Sequence, residues 1–257
     1  MVDAAQAYNE HAEEWSLRLA SGNNHAHSLL EKPAMASLLP DLSGKKILAI
    51  GCGSGEELAL LLYKRARQAD IVGIDVSEGL IATAGNNYPE ATFHVCPMED
   101  LSRFADQSFD TVYSSLTMHY AEQWQPILTE VKRVLKPGGN YLFSTHHPIK
   151  WGSLVSRTPS EDTFTMGYIR PKAGEPTVHG DYLGTRRIDD VWFGNMTVSY
   201  YHRPLGAIMA DILASGLRIR AFVEPPPVPQ AVNIAPGFHT IHSKIPLFMI
   251  FDLVSDE

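Results

Sequence analysis

Cysteine and long apolar runs are both scarce in this 257-residue sequence. The two cysteines, Cys52 and Cys96, show no pairing pattern, so neither a disulfide nor a zinc site is expected. No apolar run approaches the roughly 20 residues that span a bilayer, and residues 1–5 lack the basic and apolar regions of a secretory leader. We therefore expect a cytoplasmic protein without a membrane partner.

Positive charge is also in short supply. The chain has 21 lysines and arginines against 29 aspartates and glutamates, which gives a net charge of −8, and no basic run stands out. Because such a surface repels phosphate backbones, DNA and RNA are not expected partners. A hydrophobic content of 44% is ordinary for a globular chain, and the length predicts one domain with an elaboration.

An apolar run that opens into Gly51-Cys52-Gly53-Ser54-Gly55 is the most informative feature present. Glycines allow positive φ and let a ligand approach backbone N–H groups. The spacing is neither G-x-G-x-x-G, the dinucleotide fingerprint, nor a P-loop ending in G-K-[ST]. Glu56 and Glu57 follow the loop, and no Lys or Arg occurs before Lys64. A pyrophosphate would be poorly received there, and a zwitterionic amino-acid tail fits better.

A second apolar run, residues 71–74, ends at Asp75. An acidic side chain at the tip of the second strand of an α/β sheet can accept hydrogen bonds from both hydroxyls of a ribose. The two motifs together indicate a ligand with a ribose and an amino-acid tail but no pyrophosphate. S-adenosylmethionine has that anatomy.

Six segments in order strengthen this interpretation. They are Gly51-Cys52-Gly53-Ser54-Gly55, Gly73-Ile74-Asp75-Val76-Ser77, Met98-Glu99-Asp100-Leu101, Ser108-Phe109-Asp110-Thr111-Val112, Leu116-Thr117-Met118-His119-Tyr120 and Leu135-Lys136-Pro137-Gly138-Gly139. Over roughly residues 45–146 the chain resembles the class I S-adenosylmethionine-dependent methyltransferases of the small-molecule "type 11" group. The resemblance implies S-adenosylmethionine as cofactor and a Rossmann-like, seven-stranded, mostly parallel sheet with helices on both faces and an antiparallel last strand.

The pattern along the chain agrees with an α/β fold of this kind. The predicted elements are helices over 3–20, 28–39, 55–67, 78–87 and 122–135, and strands over 46–50, 70–75, 91–95, 108–113 and 139–146. Residues 1–44 are expected to be helical and to form a lid over the cofactor, or alternatively to cap the core. Residues 45–257 are expected to form the methyltransferase domain.

The second half carries an elaboration. Residues 149–192 lose periodicity yet are rich in aromatics, which predicts irregular or antiparallel structure covering the substrate, in an insertion that extends to about residue 203. A helix should start at Pro204 and end at Gly216. Strands over 217–223 and 245–253 should complete the sheet, with an extended segment around residues 225–229.

The resemblance assigns the cofactor to the loops at the carboxyl edge of the sheet. Met98 is expected to read the adenine edge through its main chain, with Glu99 or Asp100 accepting from the adenine amino group. Cys52 is interpreted as a small residue chosen for fit, and Asp110 as structural. The expected cofactor-binding residues are Gly51, Cys52, Gly53, Gly55, Asp75, Val76, Met98, Glu99 and Leu116.

Methyl transfer from a sulfonium needs alignment and exclusion of water, and an acceptor that loses a proton also benefits from a base. His119 follows the fourth strand and His147 the fifth, so both are candidates for that base. Strand alternation sends His146 and His147 to opposite faces, so at most one of them should face the pocket directly. The expected substrate-contacting residues are Tyr8, Trp15, His202 and Tyr182, and no metal is expected.

One position departs from the resemblance. Ala49 stands where the family usually has an acidic residue that organises the methionine end of the cofactor.

The leading interpretation is a methyltransferase for a small molecule, with oxygen or nitrogen favoured over carbon and an aromatic intermediate of specialised metabolism as acceptor. A catalytically silent cofactor-binding regulator is the alternative, and a Rossmann oxidoreductase is disfavoured by the glycine spacing. A homo-oligomer is left open.

Overall fold

The computed structural model describes residues 4–20, 24–158, 160–192 and 196–256. Its strands are β1 (Ile47–Ile50), β2 (Ile71–Asp75), β3 (Thr92–Val95), β4 (Phe109–Ser114), β5 (Leu135–His146), β6 (Leu154–Arg157), β7 (Asp162–Thr165), β8 (Gly167–Ile169), β9 (Thr177–His179), β10 (Arg186–Trp192), β11 (Met196–His202), β12 (Arg218–Val223) and β13 (Phe248–Val254). Its helices are α1 (Ala4–Glu10), α2 (Ala12–Ala20), α3 (Lys32–Leu38), α4 (Leu58–Tyr63), α5 (Glu78–Asn87), α6 (Gln125–Val134), α7 (Pro148–Trp151), α8 (Leu205–Ser215), α9 (Ala231–Ile234) and α10 (Pro236–His242).

Seven of these strands form one sheet in the order β12-β13-β5-β4-β1-β2-β3. β1 to β5 pair in parallel, and β13 runs antiparallel to both of its neighbours. All four residues of β1 are buried, as expected for a central strand with helices on both faces. The predicted Rossmann-like α/β fold with an antiparallel last strand is confirmed.

Two apolar layers hold the helices on the sheet. On one face α6 and α8 pack with Tyr141 and Phe143 of β5, and on the other α3 and α4 pack with Leu142. This alternation of neighbouring β5 residues follows from the two-residue period of a strand. The two layers thus cover the two faces of the sheet.

Several boundaries differ from the sequence-based expectation. The helix after the glycine loop covers only Leu58–Tyr63, because turns occupy residues 54–57 and Arg65 adopts a positive φ of 72° that ends it. β5 starts at Leu135 rather than 139, with a register irregularity that includes Gly138 at φ 72°. The helix expected over 3–20 is divided at His11 into α1 and α2, and its first residue lies outside the described part.

The N-terminal helices dock on the start of α5. The Asn9 side-chain oxygen accepts from the Ser77 hydroxyl at 2.8 Å and from the Gly79 N–H at 3.2 Å. Ser77 is also the N-cap of α5, since its hydroxyl accepts from the Leu80 N–H. A single-turn π-helix, His27–Glu31, then leads into α3.

The segment between β5 and α8 is antiparallel, as expected. It contains α7 and three hairpins, β6–β7, β8–β9 and β10–β11. Alternate residues of β11 are buried, and Met196, Val198 and Tyr200 form a small apolar cluster with Ala7 and Trp151. The insertion and α1 therefore share one small core above the sheet. Residue 159 and residues 193–195, which fall within the predicted insertion, lie outside the described residues.

The C-terminal part follows the prediction at its helix and strands. α8 ends at Gly216, whose φ of 74° closes it in the left-handed conformation. The short helices α9 and α10 were not expected. Within the described residues, no helix combines the length and apolar character needed to cross a bilayer.

Candidate active site

A cavity of about 780 Å³ opens at the carboxyl ends of β1, β2, β4 and β5. Its floor is made by the loops that follow these strands, and its roof by α1, α2 and the insertion. This edge of an open α/β sheet is where ligands bind in such folds, and the volume is in the range of small-molecule sites. The glycine loop and two of the histidines, His119 and His146, therefore line the same cavity.

The glycine loop can exist only with glycine at its first position. Gly51 and Gly53 have φ of 64° and 54°, and a Cβ on Gly51 would lie 2.3 Å from the Thr117 hydroxyl oxygen. Both glycines line the cavity, as does Cys52. Burial raises the pKa of the Cys52 thiol well above its ordinary value, so the residue is a buried thiol and not a nucleophile. Gly55, at φ 91°, does not line the cavity and packs against Tyr88.

Asp75 lies at the end of β2 beside this loop. Its two carboxylate oxygens accept hydrogen bonds from the Gly53 N–H at 3.0 Å and the Ser77 N–H at 2.9 Å. Burial raises the pKa of Asp75, while these N–H bonds oppose the rise. Because each carboxylate oxygen can accept more than one hydrogen bond, both remain able to receive ribose hydroxyls.

The next loops complete this end of the cavity. Val76 follows Asp75, and Met98 and Glu99 follow β3; all three line the cavity. Leu116, after β4, also lines it and has a positive φ of 50°, a strained conformation for leucine, with its N–H bonded to the Ser144 hydroxyl at 2.9 Å. The structure thus brings together all the predicted cofactor-binding residues except Gly55 along one wall.

A buried carboxylate cluster lies near the position of Ala49. Ala49 itself is in the interior of β1, paired with β2 and β4. Glu57 lies 2.8 Å from His27 and accepts from the Tyr113 hydroxyl at 2.9 Å, and these contacts, with Lys32 at 3.5 Å, lower its pKa. Both Glu56 and Glu57 line the cavity beside the glycine loop. The resemblance to the family had not predicted carboxylates from these two residues at this wall of the cavity.

Glu31, in the π-helical turn, belongs to the same cluster. It is fully buried and accepts from the hydroxyls of Ser115 at 2.9 Å and Ser144 at 2.6 Å. Burial, and after it the charge of Glu57, raises the Glu31 pKa to about 7. The glutamate ties the π-helical turn to the loops after β4 and β5.

At the other end of the cavity His119 and His146 stack face to face. Their ring centroids are 3.6 Å apart and their planes 11° apart, and His146 also stacks on Trp151 at 4.5 Å. Burial lowers the pKa of His119 to about 3 and that of His146 well below its ordinary value. Both imidazoles are therefore neutral at physiological pH and are poor proton acceptors.

His147 points away from the cavity. Its Nδ1 accepts from the Ile149 N–H at 3.2 Å, capping α7, and its Nε2 lies 2.6 Å from a Glu224 carboxylate oxygen. Because Nδ1 is an acceptor, Nε2 carries the proton and donates to Glu224. Both ring nitrogens are thus occupied, and the expectation that His147 converges on the donor methyl from the cavity is not met. His146, its neighbour on the opposite strand face, takes that position.

Two of the expected substrate contacts also lie elsewhere. His202 donates from Nε2 to the Tyr182 carbonyl at 3.0 Å, and neither residue lines the cavity. Tyr8 and Trp15 do line it, in an edge-to-face pair with centroids 5.2 Å apart. The Tyr8 hydroxyl meets that of Tyr120 at 2.6 Å.

Sequence reasoning missed Lys150 as a cavity residue, and it placed Trp151 only among the aromatics of the insertion expected to cover the substrate. Both belong to α7, whose turn after β5 swings them over the sheet edge. Their position shortly after His146 and His147 in the sequence was the available signal. No group of three or more metal-ligating side chains occurs in the described ranges.

The site fits one kind of ligand. A Cβ on Gly51 would clash with Thr117, and a carboxylate suited to ribose lies beside the loop. Among the described residues, no lysine or arginine lines the cavity at the glycine loop, and the nearby Lys32 contacts Glu56 and Glu57. Fold and site together define an S-adenosylmethionine-dependent methyltransferase.

Comparison with known proteins agrees. The family described as "Methyltransferase domain" matches residues 48–143. An uncharacterized protein of Haemophilus influenzae is 35% identical over 213 residues, which cover 77% of each chain. The crystal structure of an S-adenosylmethionine-dependent methyltransferase from Mesorhizobium loti has a TM-score of 0.70 and 26% identity, with 87% of this chain and 97% of that one covered. The chain belongs to the class I S-adenosylmethionine-dependent methyltransferases of the type 11 group.

Two further curated relatives match over shorter segments. A malonyl-[acyl-carrier protein] O-methyltransferase of Erwinia billingiae is 31% identical, covering 55% of this chain and 50% of that protein. A fatty-acid O-methyltransferase of Mycolicibacterium smegmatis is 34% identical, covering 42% of this chain and 39% of that protein. The chain thus matches half or less of the length of these two enzymes.

Proposed function

We propose that this enzyme transfers the methyl group of S-adenosylmethionine to an oxygen atom of a small-molecule acceptor. The observation that carries the proposal is one continuous cavity with the glycine loop and Asp75 at one end and the stacked His119 and His146 at the other. Oxygen is favoured because two relatives are named as O-methyltransferases. Nitrogen remains the second candidate atom.

The proposed division of labour follows the cavity walls. The glycine loop and Asp75 hold the amino-acid and ribose parts of the cofactor, and Met98 and Glu99 its adenine. When bound, the cofactor supplies an electrophilic methyl group on a sulfonium. The roof residues Tyr8 and Trp15 exclude water from the reaction. The cavity walls hold the two reactants in alignment.

The histidine pair is proposed to position the acceptor and not to deprotonate it. Its burial leaves both rings neutral, and neutral imidazoles each offer one N–H donor. A donor of this kind can hold an acceptor oxygen while one of its lone pairs attacks. We therefore assign His119 and His146, in place of His147, to the acceptor end.

Two measurements test the proposal. Calorimetric titration with S-adenosylhomocysteine should show binding that is weakened in Asp75→Ala, and label from methyl-tritiated donor should appear on oxygen of an accepted substrate. Absence of binding would refute the assignment of the cofactor. Binding without transfer to any acceptor would instead favour the catalytically silent regulator, and label on nitrogen would select the second candidate atom.

A further inference from the structure

Lys150 places a cation in the wall of the cavity beside the histidine pair. Its ammonium nitrogen lies 4.7 Å from the ring centroid of Trp151 and 4.7 Å from that of Phe164. Within the described ranges, no carboxylate forms an ion pair with it. Burial, and after it the charge of Arg157, lowers the pKa of Lys150 to about 8, so the ammonium form predominates at neutral pH.

The other charged groups near Lys150 leave it as the cation available to a ligand. Arg157 and Asp190 pair with each other through both carboxylate oxygens, and Asp190 also accepts from the Tyr200 hydroxyl at 2.9 Å. Asp162, the remaining carboxylate, is exposed to solvent, which screens its charge. A partly buried ammonium between two aromatic faces can still gain from an anion in the cavity.

Buried ring nitrogens, at least two of them N–H donors, lie at the same end. Both ring nitrogens of His119, Nδ1 of His146 and Nε1 of Trp151 are buried without a hydrogen-bond partner among the described residues. The indole is a donor only, and each neutral imidazole contributes one N–H. The three residues also border a second void of about 10 Å³, room for about one water molecule, which can satisfy part of this capacity.

We propose that the methyl acceptor is a carboxylic acid with an apolar body, bound as its carboxylate between Lys150 and the histidine pair. The inference rests on the proposed O-methyl transfer and names its substrate class. A cation and these N–H donors suit a carboxylate, which is an acceptor-only group. Aromatic rings of Trp151, Phe164 and Phe248, which line the cavity, suit the apolar body.

This class also agrees with the low basicity of His119 and His146. A carboxylate oxygen donates a lone pair to the methyl carbon as the carbon–sulfur bond breaks, and the bonding pair stays on sulfur. The products are a methyl ester and neutral S-adenosylhomocysteine, so one negative and one positive charge disappear and no proton moves. The neutral, weakly basic imidazoles at this position are then sufficient, because they only need to orient the carboxylate.

A matched set of probes tests the proposal. Dodecanoate and 3-phenylpropanoate, with dodecanol and dodecylamine as neutral-headed and amine counterparts, are titrated into protein saturated with S-adenosylhomocysteine and assayed separately with tritiated methyl donor. We expect the acids to bind and to become methyl esters, and the alcohol and amine to do neither. Methylation of the alcohol or the amine without the acids would overturn the carboxylate assignment.

The Lys150 variants give a readout that does not depend on turnover. Lys150→Met should weaken binding of the two acids by about tenfold or more, with affinity for S-adenosylhomocysteine changed by less than about threefold. Lys150→Arg should restore acid binding, and Lys172→Met, at an exposed lysine outside the cavity, should match wild type. In wild type, acid affinity should fall as pH rises past about 8, where the ammonium loses its proton, and Lys150→Arg should not show this fall.

Two outcomes distinguish failure of the carboxylate site from failure of the proposed methyl transfer. The carboxylate site would be refuted, and methyl transfer left intact, if wild-type protein binds S-adenosylhomocysteine but neither acid. The same holds if the Lys150→Met variant binds the acids as well as wild type does. Protein that fails to bind S-adenosylhomocysteine at all would refute the proposed function itself.

Discussion

His119 and His146 lie plane to plane with 3.6 Å between ring centroids, and they reach this contact from different strands. His119 is in the 3₁₀ turn after β4, and His146 is the last residue of β5, which pairs with β4 in parallel. Two imidazoles this close and this buried cannot both carry a proton, because like charges repel and desolvation penalises each. The pair is therefore a neutral wall of the cavity.

This neutrality predicts acid sensitivity of folding. The folded-state pKa of His119 lies below its unfolded value, so the unfolded chain binds the proton more readily, and stability is lost as pH falls through about 6.5 towards about 3. Between about pH 7 and pH 5, the loss attributable to His119 should be about 1–2 kcal/mol. Urea titrations at the two pH values should show a smaller pH-dependent loss in His119→Gln.

The comparison needs a histidine outside the cavity. His179→Gln, in β9, should keep the full wild-type difference between the two pH values. An equal pH dependence in wild type and His119→Gln would mean that His119 is protonated in the folded protein, and the neutral wall would be refuted.

The histidines also show what a sequence can and cannot predict. Apolar runs and glycine spacing are local, so the sheet, the glycine loop and Asp75 were predicted from them. Alternation predicted that at most one of His146 and His147 faces the cavity, but which of them does so depends on where β5 ends. The chain turns into α7 directly after His146, and His147 becomes its cap. Glu57 and Lys150 were missed for the same reason, because each enters the cavity through a tertiary packing arrangement.

Asp75 is predicted to bind the ribose. Replacing it with alanine should weaken binding of S-adenosylhomocysteine by roughly 1–3 kcal/mol, the usual cost of leaving polar groups unpaired in a closed site. Calorimetry measures this directly, with Glu175→Gln, at an exposed carboxylate outside the cavity, as control. Unchanged affinity in a folded Asp75→Ala protein would place the ribose elsewhere.

Glu56 and Glu57 are predicted to take over the role that Ala49 cannot fill. Their carboxylates line the cavity beside the glycine loop, where the ammonium group of the methionine tail would lie. Glu57→Gln should weaken binding of S-adenosylhomocysteine by about tenfold, in keeping with about 1.5–3 kcal/mol for a hydrogen bond to a charged group. Glu56→Gln should show a loss of the same sign.

A truncated ligand isolates this contact. Methylthioadenosine keeps the ribose and adenine but has no amino-acid tail, so its affinity should be unchanged in Glu57→Gln and reduced in Asp75→Ala. If Glu57→Gln weakens both ligands equally, the substitution has disturbed the loop as a whole and the carboxylate has no specific role at the tail.

The N-terminal helices are predicted to act as a lid. Their described polar contacts with the cavity region include the Ser16 hydroxyl, which donates to that of Ser54 at 2.8 Å, Asn9, which contacts the start of α5, and the Tyr8 hydroxyl, which meets that of Tyr120. Their apolar contacts belong to the small cluster around Ala7, separate from the two layers that hold the sheet. Segments with few buried contacts open at low free energy. The amides of Ala4–Ala20 should therefore exchange quickly in the free protein and slowly after addition of S-adenosylhomocysteine, while those of β13 should stay protected throughout.

Deleting residues 1–20 should then lower the melting temperature by no more than about 5 °C while abolishing measurable ligand binding. A larger loss of stability in the ligand-free truncated protein, or amides of α1 and α2 as protected as those of β13, would show that the two helices are a fixed part of the core.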